Sequence, residues 1–330
     1  MDEADGFRLA PGCYGRPMFT VLRWGQAEYE RGLDPALPAG VTLRTAPLGD
    51  GAPLEDADVL VVPSLQRVEA RHVPRLRPPL GRCRLVLTTT SGFDHVDVGA
   101  LRAAGIACAR MPLVRRDAVV QTALGMILAL TRRFGLLDAA AAEGRWARAE
   151  LPAIGAVNLG TVGVVGAAGV IGSRMCAVLE ALGARVLRCD PALRDGVPLA
   201  AVLEASDVVT LHCALQDGNA RLLDAAAIAR MPRGAVLVNT ARGRLLDLEA
   251  ALHALRGGQL GGLGLDVFPR EPADVAALRH PRVIVTPHAA GWHPGLGDSV
   301  SAGVRVAVEA LLAGEDVPWQ VRTDTAAVSV

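Results

Sequence analysis

Short β-branched runs alternate along the chain with longer Ala/Leu-rich stretches whose apolar positions recur at helical spacing. The runs predict strands at Phe19–Arg23, Val41–Arg44, Asp58–Val62, Leu85–Thr88 and Ile106–Ala109. Asp117 then reads as the N-cap of one long helix from Ala118 to about Ala142, with Leu124, Ile127, Leu128 and Leu130 available for burial. The alternation resumes with strands at Thr161–Val165, Arg185–Cys189, Val208–His212, Ala235–Asn239, Leu263–Val267 and Val283–Thr286. Helical stretches such as Ser173–Leu182 and Leu248–Leu255 fill the gaps. Strands alternating with helices build parallel sheets covered on both faces. Two such blocks flank the long helix, so the expected fold is α/β with two doubly wound, parallel-sheet domains. A last helix, Ser299–Gly314, is placed to return and pack on the first domain.

Composition narrows the class. Hydrophobic residues make up 51% and charged residues 21% of 330 positions, which excludes a disordered chain. The 34 basic residues balance the 34 acidic ones, so no overall charge draws the protein to nucleic acid. Every basic residue is Arg, which rules out chemistry that needs a Schiff-base or P-loop lysine. The six cysteines are scattered without CxxC pairs or a Cys/His metal cluster; they read as reduced thiols of a cytoplasmic protein with no metal. Residues 1–17 are polar and broken by Gly and Pro, and are expected to form a loose tail rather than a signal peptide. The uncharged stretch Leu151–Ser173 is long enough to test as a membrane span, but Pro152, Asn158 and six glycines make it a strand–turn–helix instead. No membrane association is expected.

That stretch opens the most informative local feature, TVGVVGAAGVIGSRMCAVLEALGARVLRCDP at 161–191. A buried strand enters a glycine turn, then a helix, then a second strand ending at Asp190. In a dinucleotide fold the glycines let the backbone approach a pyrophosphate, which rests on the helix N-terminus. Asp190 lies eighteen residues past Gly172, close to the spacing at which an acid meets the adenosine ribose. Its carboxylate would repel a 2′-phosphate, so NAD(H) is expected over NADP(H); Arg188 and Arg194 oppose that preference. Gly166, Gly169 and Gly172 form GxxGxxG, one residue longer in its first half than the usual GxGxxG.

Open α/β sheets bind ligands beyond the carboxyl ends of their strands. In the second block those ends carry Asp190, His212, Asn239–Arg242, Asp266 and His288. Each has a plain structural explanation taken singly: a strand-end histidine, a surface arginine, an N-cap. Together they suit hydroxy-acid oxidation, which needs a cation for the carboxylate, a base for the hydroxyl proton and a hydride acceptor. Arg242, Glu271 and His288 supply a planar fork, a carboxylate partner and a near-neutral base.

The blocks LVNTARGRLLD (237–247), LGLDVFPREP (263–272) and VIVTPHAAGW (283–292) resemble the D-isomer-specific 2-hydroxyacid dehydrogenases. Weaker similarity covers roughly residues 19–320, including TSGFDHVDV at 90–98 and VVTLHCAL at 208–215. The resemblance implies that Arg242 binds substrate, His288 is the acid/base and Glu271 its partner. It implies cofactor contacts from Gly166, Gly169, Val170, Ile171, Gly172, Asp190, His212, Thr240, Ala241 and Asp266, the last positioning the nicotinamide carboxamide. Substrate contacts are implied for Ser91, Gly92 and Trp292 besides Arg242 and His288. The architecture implied is a Rossmann cofactor domain (113–291) inserted into a flavodoxin-like, discontinuous substrate domain (18–112 plus 292–330). A homodimer through the cofactor domain is implied too, using the long helix and GRWAR at 144–148.

The segment RMPLVRRDAVVQTALG (110–125) departs from the family's common form at Arg110, Leu113, Arg115, Arg116, Gln121 and Thr122; Arg115 or Arg116 could meet a second anionic group on the substrate, and whether Arg110 contacts it is left open. Phosphoglycerate members carry Arg where this chain has Pro63 and Thr88, so 3-phosphoglycerate is expected to be a poor substrate. The implied reaction is hydride transfer between NAD(H) and C2 of a small 2-oxo or 2-hydroxy acid. The alternatives are a nucleotide-sensing protein like the co-repressors of this fold, or a dehydrogenase acting on formate or phosphite.

Overall fold

The computed structural model describes residues 19–25, 36–64, 66–148, 159–216 and 218–321. The expected N-terminal tail lies outside them, as does Leu151–Asn158 of the uncharged stretch. Two compact units divide the described chain: one runs up to Arg115 and resumes at His293, the other is Arg116–Trp292.

The first unit contains β1 (Phe19–Trp24), β2 (Val41–Ala46), β3 (Val59–Val62), α1 (Val73–Leu76), β4 (Leu85–Thr88), α2 (Val98–Ala103) and β5 (Ala107–Arg110). Its strands form one parallel sheet in the order β2-β1-β3-β4-β5. Successive side chains point to opposite faces. Val21, Val59, Val61, Leu85 and Leu87 therefore pack on one side, and Leu22, Trp24, Leu60, Val62 and Val86 on the other, all at most 2% exposed.

The second unit carries α3 (Arg116–Thr131), α4 (Phe134–Ala142), β6 (Thr161–Val165), α5 (Val170–Ala181), β7 (Arg185–Cys189), α6 (Leu199–Ala205), β8 (Val208–Leu211), α7 (Ala225–Ala229), β9 (Ala235–Asn239), α8 (Leu248–Arg256), β10 (Leu260–Leu265) and β11 (Val283–Val285). Its parallel sheet runs β11-β10-β9-β8-β6-β7, so strand order reverses between β6 and β8. One face packs Val162, Val164, Val236 and Val238 against α3 and α5; the other packs Val209, Leu211, Leu237 and Leu263 against α6, α7 and α8. The final helix, α9 (Leu296–Ala313), buries Val300, Val304, Ala307 and Val308 on the first unit's sheet.

One expectation is corrected. The single helix from Ala118 to Ala142 is two helices, α3 and α4, bent by 63° at a short break. Arg133 sits there with φ 55°, a left-handed conformation that ends α3. Thr131 Oγ1 bonds back to the Ile127 carbonyl at 2.8 Å, in competition with the helix ladder. Asp117 is no N-cap: it lies inside the first turn of α3 and pairs with Arg116 at 2.8 Å and Arg174 at 3.2 Å. Among the described residues no single helix is long and apolar enough to cross a membrane; only the bent pair α3 and α4 passes on length and composition, and α3 is largely buried against the sheet.

Candidate active site

The site begins at the glycine turn between β6 and α5. Gly166 has φ +87°, and a Cβ there would stand 2.4 Å from the Cys213 nitrogen. A Cβ at Gly172 would stand 2.1 Å from the Gly166 carbonyl oxygen, so the first turn of α5 can press on the loop only as glycine. Gly169 is the N-cap of α5 and has more room, 3.3 Å to the same oxygen. The extra residue of GxxGxxG is absorbed by Asp190. Its Oδ2 accepts from the Ala168 N–H at 3.0 Å, and its Oδ1 from the Ala192 N–H at 2.9 Å. The N–H groups of Val170, Ile171 and Gly172 belong to the first helical turn, which has no intrahelical acceptors and carries partial positive charge. Arg188 is occupied by Glu180 at 2.6 Å, which removes one of the two cations that opposed an NAD preference.

At the strand reversal, β8 ends beside His212 and β9 beside Thr240. His212 Nε2 bonds Thr210 Oγ1 at 3.0 Å. Burial pushes its imidazole down to about 4, so the ring is neutral at physiological pH. His212 Nδ1 and Thr240 Oγ1 are both buried with no partner among the described residues. Buried polar atoms are normally satisfied. Two orphans at the crevice where open α/β sheets bind ligands, beside a turn with no room for side chains, fit a bound dinucleotide.

The loops after β9, β10 and β11 carry the chemistry. Buried Asn239 accepts from the Ala241 N–H at 3.0 Å and donates to the Arg242 carbonyl at 3.0 Å, which fixes the backbone that presents Arg242. Half-buried Arg242 donates through Nη1 to the Ala241 carbonyl at 2.8 Å. Next to it, a Cβ at Gly243 would collide with the Phe268 backbone at 1.9 Å, so the β9 and β10 loops touch. Phe268 N–H donates to Glu271 Oε1 at 3.0 Å, and Glu271 Oε2 meets His288 Nδ1 at 2.7 Å. Burial pushes the Glu271 carboxyl up; the His288 and Phe268 bonds, with the charges of His288 and Arg242, outweigh it and hold the group below its ordinary value. An ionised Glu271 only accepts, so Nδ1 carries the proton and Nε2 is left to handle a substrate proton.

Asp266 braces the loop that follows β11. It is 1% exposed, and its Oδ1 accepts from Thr286 Oγ1 (2.6 Å), Ala289 N–H (2.8 Å) and Ala290 N–H (3.0 Å). Its own carbonyl accepts from the His288 N–H at 2.7 Å. These bonds hold His288 at φ 54°, a strained conformation for a non-glycine residue. Phe268 and Thr286 escaped the sequence reading, and Asn239 was named there only for its strand-end position. Trp292 follows on the same turn, half exposed, its N–H on the Ala289 carbonyl.

Ser91 and Gly92 belong to the first unit, in the loop after β4. Ser91 Oγ donates to the Pro112 carbonyl at 3.0 Å, and the Gly92 carbonyl accepts from Thr90 Oγ1 at 2.7 Å. Thr88 is fully buried, bonded to Thr90 and His95. Arg116 is paired with Asp117. No cluster of potential metal ligands occurs among the described residues.

The glycine turn, the strand reversal and the three loops all fall within residues 124–290, which match the family model for the D-isomer specific 2-hydroxyacid dehydrogenase, NAD binding domain. The chain belongs to this family. It is similar to erythronate-4-phosphate dehydrogenase of Salinibacter ruber, with 39% identity over 250 residues, covering 72% of this chain and 57% of that protein. It is similar also to D-3-phosphoglycerate dehydrogenase of Mycobacterium leprae, with 33% identity over 289 residues, covering 84% and 53%. The chain thus spans about half the length of these curated relatives. The crystal structure of D-lactate dehydrogenase from Aquifex aeolicus, complexed with NAD and lactic acid, shares the two-domain fold, with a TM-score of 0.75, 24% identity and coverage of 89% of this chain and 96% of that one. The family's domain binds NAD, and the cradle at Gly166–Gly172 suits it.

Proposed function

We propose that this family member is an NAD(H)-dependent oxidoreductase that interconverts a small 2-oxo acid and its D-2-hydroxy acid. The observation that carries the reading is the 2.7 Å His288–Glu271 pair, with the Arg242 charge acting on the same carboxylate. In the reducing direction Arg242 holds the substrate carboxylate through its planar fork. Bound NADH supplies the hydride that reaches C2. His288, protonated on both nitrogens, gives its Nε2 proton to the C2 oxygen as charge develops there. Glu271 stabilises the imidazolium beforehand and fixes the ring, while Asp266 and Asn239 hold the two loops. Oxidation reverses these steps, with neutral His288 taking the hydroxyl proton. Positioning and preorganised charge account for the acceleration, and no covalent intermediate is involved.

In this reading Asp190 takes the adenosine ribose, the N–H groups of Val170, Ile171 and Gly172 the pyrophosphate, and His212, Thr240 and Ala241 line the crevice. Trp292 shapes the pocket, and Ser91 and Gly92 of the first unit are further substrate contacts in the same proposal. Two features support a cytoplasmic homodimer joined through the second unit. The five described cysteines are all free, and Trp146 of GRWAR is 89% exposed. Loss of NADH absorbance with glyoxylate, pyruvate, hydroxypyruvate, phenylpyruvate and dicarboxylic 2-oxo acids tests the proposal. Reduction of at least one, with NADH preferred to NADPH, is the expected result. NADH binding without turnover of any acid points to a sensor, and oxidation of formate or phosphite to the other alternative.

A further inference from the structure

Thr286 has no part in the chemistry proposed above, yet it stands at the root of the turn that carries His288. It lies one step past the last pair of β10 and β11, Leu265 with Val285, and its N–H continues the ladder to the Leu265 carbonyl at 2.9 Å. That register sets it opposite Asp266, which is 1% exposed. Its hydroxyl donates to Asp266 Oδ1 at 2.6 Å, closer than either backbone donor to that oxygen. Pro287 follows and has no N–H, so the turn is anchored by the next three residues. All three end on Asp266: the His288 N–H on its carbonyl at 2.7 Å, those of Ala289 and Ala290 on Oδ1 at 2.8 and 3.0 Å. The Thr286 hydroxyl is the one side-chain donor to Oδ1 among the described residues, and the one that comes from the sheet rather than from the turn. A β-branched side chain has few rotamers there, which suits a fixed donor. The backbone so held is strained, with His288 at φ 54°, and such a conformation persists only while its surroundings enforce it. Where that backbone places the ring decides the 2.7 Å contact of Nδ1 with Glu271.

We propose that Thr286 is a positioning residue for the acid/base: acting through Asp266, its hydroxyl holds the His288 turn so that the ring presents Nδ1–H to Glu271 and leaves Nε2 to the substrate. The inference rests on the reading of His288 given above. Without the hydroxyl the carboxylate is free to rotate, the turn slackens, and the ring takes up in part the Nε2–H form that imidazole prefers in water. A ring in that form cannot accept the hydroxyl proton at Nε2. The effect of Thr286 therefore falls on proton transfer, not on affinity for acid or cofactor.

The test uses the full chain and its Thr286→Ala, Thr286→Val and Thr286→Ser variants. The tautomer of neutral His288 is read by NMR from its two ring nitrogens in protein with isotope-labelled histidine, without cofactor or acid, and assigned with His288→Gln. The unaltered protein and Thr286→Ser should show the Nδ1–H form, and Thr286→Ala and Thr286→Val a mixture with Nε2–H. For the fastest reduced of glyoxylate, pyruvate and hydroxypyruvate, Thr286→Ala and Thr286→Val should lower kcat about 10–100-fold. KM for the acid and Kd for NADH should stay within about twofold, and Thr286→Ser should recover most of the rate. In a His288→Ala background the same substitutions should change the residual kcat by less than about twofold, because they act through that ring. An unchanged tautomer in Thr286→Ala and Thr286→Val would overturn the proposal. So would an equal loss of kcat in the His288→Ala background, the mark of a merely structural hydroxyl, or a Kd for NADH that rises as far as kcat falls. If Thr286→Val does not fold, Thr286→Ala decides. Turnover of no acid defeats the oxidoreductase reading instead, and the tautomer then decides the role of Thr286 by itself.

Discussion

The two sheets begin with the same strand order, 2-1-3-4-5, and the loops proposed to meet ligands follow the carboxyl ends of their strands, yet those ends are built differently. At the first unit's edge most of the loop after β4 is closed on itself: Thr88, Thr90, Ser91 and His95 spend their side chains on one another and on backbone, and Thr89 Oγ1 alone in that loop is buried without a partner among the described residues. At the second unit's edge the side chains are deliberately incomplete. His212 Nδ1 and Thr240 Oγ1 lack partners, and His288 keeps one ring nitrogen free of Glu271. The lesson is that the doubly wound fold supplies a place, while the residues left unsatisfied there supply the function.

The sharpest way to break this comparison is to neutralise the charged pair. Glu271→Gln should lower kcat by about 10³-fold, since the amide no longer stabilises the imidazolium; NADH affinity should be unchanged and Glu271→Asp should restore part of the rate. Rapid-mixing kinetics with equilibrium NADH titration check this. Next comes His212. Its folded value of about 4 lies below the ordinary 6.5, so the unfolded chain binds more protons between them. Stability is therefore fully present above pH 6.5 and is lost as pH falls toward 4, by ~3 kcal/mol for this group. Urea unfolding across that window should show the slope, and His212→Gln should flatten it. A third test is Gly172→Ala, whose methyl meets the Gly166 carbonyl. It should weaken NADH binding about tenfold and destabilise the protein by ~1–3 kcal/mol, read by calorimetry and thermal melting. The smallest effect is expected at Asp190→Asn: the preference for NADH over NADPH should narrow by a few-fold, measured as a ratio of kcat/KM values.

What the chain's pattern revealed follows the same divide. Strands such as Thr161–Val165 and Ala235–Asn239 are continuous apolar runs bounded by turn residues, and they emerged with the bounds expected. The break between α3 and α4 did not. The sequence through Thr131–Phe134 has good helix formers on both sides, and nothing in it marks Arg133 as left-handed. Strand order was hidden too, because pairing joins residues far apart in sequence. In the site, residue types and motif spacing singled out Arg242, Glu271 and His288. The bonds that position them were not legible. Asp266 read as a cofactor contact, and only the folded turn shows its oxygen accepting from Thr286, Ala289 and Ala290. Thr88 read as a position where phosphoglycerate members carry Arg, and only the fold shows it fully buried and bonded within its loop.

The central claim is that His288 Nε2 delivers the proton while the second unit's crevice holds the cofactor independently. The direct measurement pairs NADH titration with reduction of the best 2-oxo acid for His288→Ala. The account predicts about 10²–10⁴-fold slower turnover with NADH affinity preserved. Turnover within a few-fold of the unaltered protein, with NADH still bound, would contradict it.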